Sequence, residues 1–304
     1  MKLTYFKGHV PNFGDELNPY LWPRLIPQDL LDEDENELFV GIGSLLLDHM
    51  PRQPRKYVVG SGYAGYTRPP DLHDGSWDVI FVRGPRTAAT LDLPPDKAIC
   101  DSAVLLRALD LPAPAENVGI AFMPHYHSFN RGHWAEACRL AGVRLIDPRD
   151  DVEKVLAEIR GARMLITEAM HGAIVADALR TPWLAVNPIH PENQAKWLDW
   201  AEALDLDLRR QPLRPTSLLE LYIGRTGGRR YYEGRATRWS RSALAGPANR
   251  FLTQLAAQHL QRLSRSEPQL SRDNRISDAG ERAQNALAGF VKAQTRPVLS
   301  EARS

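Results

Sequence analysis

Met164-Leu165-Ile166-Thr167-Glu168-Ala169-Met170-His171-Gly172-Ala173-Ile174-Val175-Ala176-Asp177-Ala178-Leu179 is the stretch that sets the fold class. Its opening is apolar without alternation, as in a short strand covered on both faces. The remainder is long enough for a helix, and Thr167 is a residue type that caps one. The spacing predicts a strand over Met164–Thr167 and a helix through Leu179, with Glu168 in its first turn and His171 within it. Free N–H groups at a helix start favour anions such as phosphate or carboxylate. The helix dipole favours a neutral imidazole there, whereas a bound anion favours the cation. A histidine so placed gains its proton as its anionic ligand arrives, which suits a general acid. Gly172 would keep the backbone open to that ligand. The bland alternative is a capped core helix whose histidine merely packs.

The same strand-to-helix pattern recurs on both sides. Upstream come a strand at Val118–Met123, a helix at Trp134–Ala141, a strand at Val143–Ile146 and a helix at Val152–Arg160. Downstream come a strand at Trp183–Val186 and a helix at Asn193–Leu204. Leu111-Pro112-Ala113-Pro114-Ala115 reads as a short, stiff linker. Before it, strands are expected at Leu3–Lys7, Leu38–Ile42, Lys56–Val59, Val79–Val82 and Ala98–Cys100. Helices are expected at Glu16–Leu25 and Ala103–Leu109. Gly84 suits an N-cap and Pro85 the first position of a further helix. Continuous apolar strands joined by helices predict an α/β protein with parallel sheets covered on both faces. Two such units, 1–112 and 113–210, imply two Rossmann-like domains facing a cleft, with ligands at strand carboxyl ends. Residues 211–304 are expected to add two basic helices, about 248–264 and 278–293, packed back on the body.

Of 304 residues, 43% are hydrophobic and 25% charged, with a formal net charge of +1, as expected for a globular chain. No run of about 18 apolar residues predicts a membrane span. The opening Met1–Phe6, followed by Gly8, His9 and Pro11, lacks the apolar core of a signal peptide, so a cytoplasmic location is expected. Cys100 and Cys138 are too few for a disulfide framework or a four-thiolate zinc site. No repeat of 20–50 residues is evident, which sets solenoids and propellers aside. The balanced total hides an asymmetry: residues 209–304 hold 18 Lys/Arg against 7 Asp/Glu. Between Arg225 and Arg241 lie six arginines and one glutamate, Glu233, with Tyr231, Tyr232 and Trp239. Arginines with interfacial aromatics suit an anionic membrane surface or a lipid-diphosphate acceptor. A solvated basic tail is the alternative. No nucleic-acid recognition module accompanies the charge, so no nucleic acid is expected as a partner.

Several motifs need weighing. Gly60-Ser61-Gly62-Tyr63-Ala64-Gly65 fits the dinucleotide fingerprint, but Pro69 and Pro70 spoil the helix that must follow. A tight turn near a ligand is the better reading. Arg83 and Arg86 flank Gly84-Pro85 and suit a planar carboxylate or phosphate, or are simply solvated. His125 and His127 could join a metal site, yet no carboxylate or cysteine stands at ligand spacing, so no metal is expected. An anion or sugar contact, or a structural role, remains for them.

Asn12-Phe13-Gly14-Asp15-Glu16-Leu17-Asn18, Gly41-Ile42-Gly43-Ser44, Gly60-Ser61-Gly62, Val82–Thr87, Asp101 and Glu168–Gly172 occur in the order found in polysaccharide pyruvyl transferases. Over residues 3–190 the chain resembles that family, most closely its bacterial exopolysaccharide, succinoglycan-type branch. The resemblance implies a two-domain fold like that of the GT-B glycosyltransferases. It also implies transfer of the enolpyruvyl unit of phosphoenolpyruvate to a sugar, closing a cyclic ketal, with no cofactor besides that donor. Many relatives carry Arg-x-His in the second unit; His171 matches the histidine, but Ala169 stands where the arginine would be. Arg83 or Arg86 would then have to supply the charge.

The catalytic expectation is His171 as acid, with Glu168 or Asp15 to orient the acceptor or accept its proton. The expected substrate-binding set is Asn12, Gly14, Gly43, Ser44, Ser61, Gly62, Arg83, Arg86, Asp101, His125, His127 and Gly172. A lipid-linked oligosaccharide of an exopolysaccharide repeat unit is the expected acceptor, met at the inner face of the plasma membrane. Two rival readings stand beside this one. A GT-B nucleotide-sugar glycosyltransferase is one, although Ala176 stands where Glu-x7-Glu would put its second glutamate. A non-catalytic saccharide-binding assembly protein is the other.

Overall fold

A computed structural model describes residues 1–189, 194–227 and 233–295. Its first sheet is parallel, in the order β1 (Lys2–Thr4), β2 (Glu37–Val40), β3 (Arg55–Val59), β4 (Trp77–Phe81). Alternating side chains divide between its two faces. Phe39, Tyr57, Val59 and Phe81 join one apolar cluster, while Leu38, Val40 and Val58 join another. The first face is covered by helix α1 (Phe13–Leu25) and a 3-10 segment, Ser102–Ala108. The opposite face is covered differently from the sequence expectation. The connections β2–β3 and β3–β4 contain no helix, and loop leucines Leu45, Leu46 and Leu72 close that face together with α2 (Pro85–Thr90). The strand expected at Ala98–Cys100 reduces to a single parallel bridge between Val82 and Ala98. Gly84 and Pro85 do occupy the N-cap and first position of α2.

The second sheet, also parallel, contains β5 (Gly119–Met123), β6 (Arg144–Leu145), β7 (Ala162–Thr167), β8 (Trp183–Val186) and β9 (Arg210–Gln211). Their spatial order is β6-β5-β7-β8-β9. Around them lie α3 (Tyr126–Arg131), α4 (Trp134–Ala141), α5 (Val152–Gly161), α6 (Met170–Ala178) and α7 (Gln194–Ala203). The linker is pinned rather than free: Ala115 N–H donates to Ala157 O at 2.8 Å, and Arg160 donates to Leu111 O at 3.0 Å. A single apolar cluster runs from Phe13 and Leu17 through Val104 and Leu105 to Ile159 and Ile174, so the helices between the two sheets share one core.

The carboxyl-terminal third holds more than two helices. α8 (Leu218–Thr226) and α9 (Glu233–Ser240) precede α10 (Gly246–Leu263) and α11 (Asp273–Gln294). The last begins five residues before the expected start, with the extra turn held by Arg275 and Ile276 N–H groups on Arg272 O. α10 packs on α4 through Ala256, Leu260 and Leu263. From there the chain returns to the first sheet. Phe290 on α11 lies 5.1 Å from the Tyr57 ring and 6.0 Å from that of Phe39, both tilted. Such pairs contribute about 0.5–1.5 kcal/mol beyond their area. Arg229, Arg230, Tyr231 and Tyr232 of the predicted basic-aromatic segment lie outside the described residues, as does the side chain of Glu233.

Candidate active site

β7 ends at Thr167, whose hydroxyl accepts the Ala169 N–H at 3.0 Å. Ala169 is the N-cap of α6, so Glu168 precedes the helix instead of lying in its first turn, and His171 is its second residue. Gly172 is needed for packing and not for backbone access. A Cβ there would come within 2.6 Å of Thr167 Oγ1 and 2.8 Å of Met123 Sδ.

Glu168 is buried. Its carboxylate accepts from the N–H groups of His125 (2.8 Å) and Ile189 (2.7 Å) and from Ser128 Oγ (2.9 Å). Burial raises its pKa and these three donors pull it back. The carboxylate holds two loops at the strand ends, with both oxygens engaged.

His171 reaches across to the first sheet's helices. Its ring lies so close to Gly14 that a Cβ there would be 2.0 Å from Nδ1. That glycine is the second residue of α1, whose first N–H donates to Pro148 O of the second unit at 2.7 Å. Nε2 is buried without a hydrogen-bond partner and lies 3.7 Å from Asp101 Oδ2, which is likewise buried and unpartnered. The other Asp101 oxygen caps the 3-10 segment by accepting the Ala103 N–H at 3.0 Å. Burial alone would raise the Asp101 pKa, but the adjoining imidazole, the Ala103 N–H and Arg83 leave it below the usual value. The His171 side chain is 18% exposed, so the ring is open to a ligand on one side.

Asp15 stands beside this pair. Asn12 Nδ2 donates to it at 2.7 Å, while its own N–H bonds to Asn12 O at 2.9 Å. Its pKa is raised by burial, against the pull of Asn12, His171 and Lys196. Tyr126 lies close enough to Asp15 for that carboxylate to raise the phenol further above its burial-raised value. The rings of His125, Tyr126 and His127 pack against one another at 4.0–5.2 Å, two pairs tilted and the histidine pair edge-on.

Arg83 and Arg86 are both committed to α7. Buried Arg83 donates to Asp199 Oδ2, Ser44 Oγ and Tyr63 O, each at 3.0 Å. Asp199 also accepts from Thr87 N–H and hydroxyl. Gly62 lies under the guanidinium, and buried Ser61 holds the same loop through Gly43 O and Leu45 N–H. Withdrawing Arg83 to grip a ligand would strand a buried Asp199, a cost of about 3–5 kcal/mol. Arg86 pairs with Glu202 on the surface. Of the predicted set, Asn12, Gly14, Asp15, Asp101 and His171 therefore converge. Gly43, Ser44, Ser61, Gly62 and Arg83 form a buried interlock alongside them.

One cation was missed by the sequence reading. Lys196, one turn before Asp199 on α7, makes no hydrogen bond among the described residues. Its charge is felt by Asp15 and Asp101. Burial, then the Arg83 charge, depresses its pKa to about 8, with Asp15 and Asp101 opposing. The available signal was spacing. Lys196, Asp199 and Glu202 fall at i, i+3, i+6 on a helix that buries Trp197 and Trp200, a polar stripe that implies a partner. Among the described residues no three His, Cys, Asp or Glu side chains are grouped to hold a metal ion. Cavities of about 500 and 430 Å³, one beside α11 and one near Asp205, lie away from His171.

A family model for polysaccharide pyruvyl transferase matches residues 5–190. The chain is 35% identical to succinoglycan biosynthesis protein ExoV of Rhizobium meliloti (strain 1021) over 318 aligned positions, covering 95% of this chain and 98% of that protein.

Proposed function

Since the chain belongs to the polysaccharide pyruvyl transferase family, we propose that it moves the enolpyruvyl unit of phosphoenolpyruvate onto a sugar diol of an exopolysaccharide repeat unit. By its likeness to the Rhizobium protein, the polymer is a succinoglycan-like one. The reaction would run where two Rossmann-like lobes, arranged in the GT-B manner, meet at His171. It would need no cofactor besides the donor, and its acceptor would be lipid-linked and presented at a membrane. The observation that carries this reading is the His171–Asp101 pair, two orphaned buried atoms beside Asp15 and Lys196. Carboxylate, imidazole and an unsatisfied cation are the groups that an anionic enol ester and a hydroxyl require.

In this mechanism Asp101 faces Nε2 and fixes the ring, and the imidazolium protonates the donor methylene carbon. The resulting oxocarbenium-like C2 is attacked by one sugar hydroxyl, whose proton passes to Asp15. The C2–O bond to phosphate then breaks, and the second hydroxyl attacks C2 to close the ketal. Of the two hydroxyl protons, one restores His171 and the other leaves with phosphate. Lys196 supplies charge for the donor anion in place of the arginine absent at Ala169. Glu168 acts as a positioning residue for the α3 loop, not as the base.

Incubation with labelled phosphoenolpyruvate and, separately, labelled UDP-sugars in the presence of lipid-linked oligosaccharides distinguishes the reading from sugar transfer. Label should enter the acceptor only from phosphoenolpyruvate, with release of phosphate. His171→Gln should abolish that transfer while leaving the thermal melt intact. Near-normal turnover of this variant would remove the imidazole from the mechanism.

A further inference from the structure

α10 carries two apolar stripes. The inner one packs on α4. The outer one begins in the 3-10 turn Ala243–Ala245, which runs directly into the helix. Leu244 is 88% exposed and Phe251 60%, seven residues apart and so on one face; Pro247 and Ala248, between them, are exposed too. Trp239, at the end of α9, is 58% exposed. This surface is held rigidly from below. Asn249 donates to Ser240 O at 2.7 Å and accepts the Leu218 N–H at 2.9 Å, and Thr253 donates to Thr216 O at 2.9 Å. The sequence that forms it is strongly basic. From Gly234 to Ser266 the sequence holds six arginines and no Asp or Glu, and Arg235, Arg238, Arg241 and Arg250 are exposed.

We propose that the α9–α10 segment, with exposed Trp239, Leu244 and Phe251 and the four exposed arginines interspersed among them in sequence, docks the protein on an anionic lipid bilayer. This rests on the reading above only in its purpose, bringing a lipid-borne acceptor to the site. The chemistry favours lipid over other partners. A second copy would have to set the same arginines against themselves across a two-fold axis. A nucleic-acid backbone would satisfy the arginines but leave Leu244 and Phe251 in water. A bilayer takes both, apolar side chains at the acyl boundary and guanidinium groups at the phosphates. Among the described residues no helix is long and apolar enough to cross a membrane, so the contact is peripheral. Placement agrees with that purpose. Ala236 of α9 packs on the cluster of Ile189, Leu219 and Ile223, and the Ile189 N–H is held by Glu168, three residues before His171.

The test is flotation of the full chain with phosphatidylcholine vesicles, with and without phosphatidylglycerol, at low and high salt. The wild type should float only with the anionic vesicles and be released by salt. Each Arg→Glu change among the four should weaken binding by roughly fivefold or more. Leu244→Glu with Phe251→Glu should abolish it, whereas Leu140→Glu on α4 should change nothing. His171→Gln should float like the wild type, and the Leu244/Phe251 double variant should still pyruvylate a water-soluble saccharide. Equal recovery of the wild type on neutral and anionic vesicles would overturn the proposal. So would unchanged flotation of the double variant, or a double variant that only turns a dimer into a monomer. Failure of flotation with intact pyruvyl transfer defeats the docking surface alone, and the reverse outcome defeats the catalytic reading alone.

Discussion

Lys196 shows how one side chain can set a pH limit. Its pKa, near 8, lies below that of a free lysine because burial and Arg83 disfavour the cation. In the folded protein it is charged below about 8 and neutral above, so on the proposed role of Lys196 capture of an anionic donor should fall as pH rises through that value. The expected profile is a loss of kcat/KM for phosphoenolpyruvate on the alkaline side. Lys196→Arg should move that limb upward, since guanidinium stays charged. Lys196→Met should lower kcat/KM by roughly 10²–10³-fold at neutral pH. The stability sign is opposite to that of a paired lysine. Between about 8 and the unfolded value the unfolded chain binds more protons, so stability should rise with pH across that window. Thermal melts of the wild type and Lys196→Met at stepped pH check this, the variant lacking the rise.

Among the elements, α1 and α6 meet end to end at Gly14 and His171. Gly14→Ala would drive a methyl into the imidazole, so the ring or the helix must shift. If His171 is the acid proposed above, a displacement of about 1 Å there should cost on the order of a hundredfold in rate. Overpacking should cost about 1–3 kcal/mol of stability. Steady-state rates set beside denaturant titrations separate the two effects.

How far the sequence discloses this arrangement varies by element. Trp134–Ala141 and Trp183–Val186 appear within their expected bounds, because apolar patterning and end signals agree there. The family is legible in motif order alone. The loops that replace helices after β2 and β3 are not, because their leucines cover the sheet without any helical period. Nor could spacing show that Arg83 is spent on Asp199, a carboxylate 116 residues away that only packing brings near. His171 was readable, as was Asp15. Their partner Lys196 sits in a helix whose tryptophans dominate its pattern.

At the level of the whole molecule, the ties between the two sheets include the shared core, the Arg83–Asp199 interlock and the return of α11. Phe290→Ala should leave a hole between α11 and the first sheet and destabilise the protein by about 3–5 kcal/mol. Chemical denaturation followed by tryptophan fluorescence measures that loss. A smaller change would mean that α11 collapses onto Phe39 and Tyr57. The same helix bears on synthesis. A ribosome delivers the strands of the first sheet early, but Phe290, which packs on Tyr57 and Phe39, emerges well over two hundred residues later. Until then this half of the nascent polypeptide leaves part of that aromatic surface uncovered and needs shelter from aggregation. A premature stop anywhere before codon 290 would leave that exposure permanent.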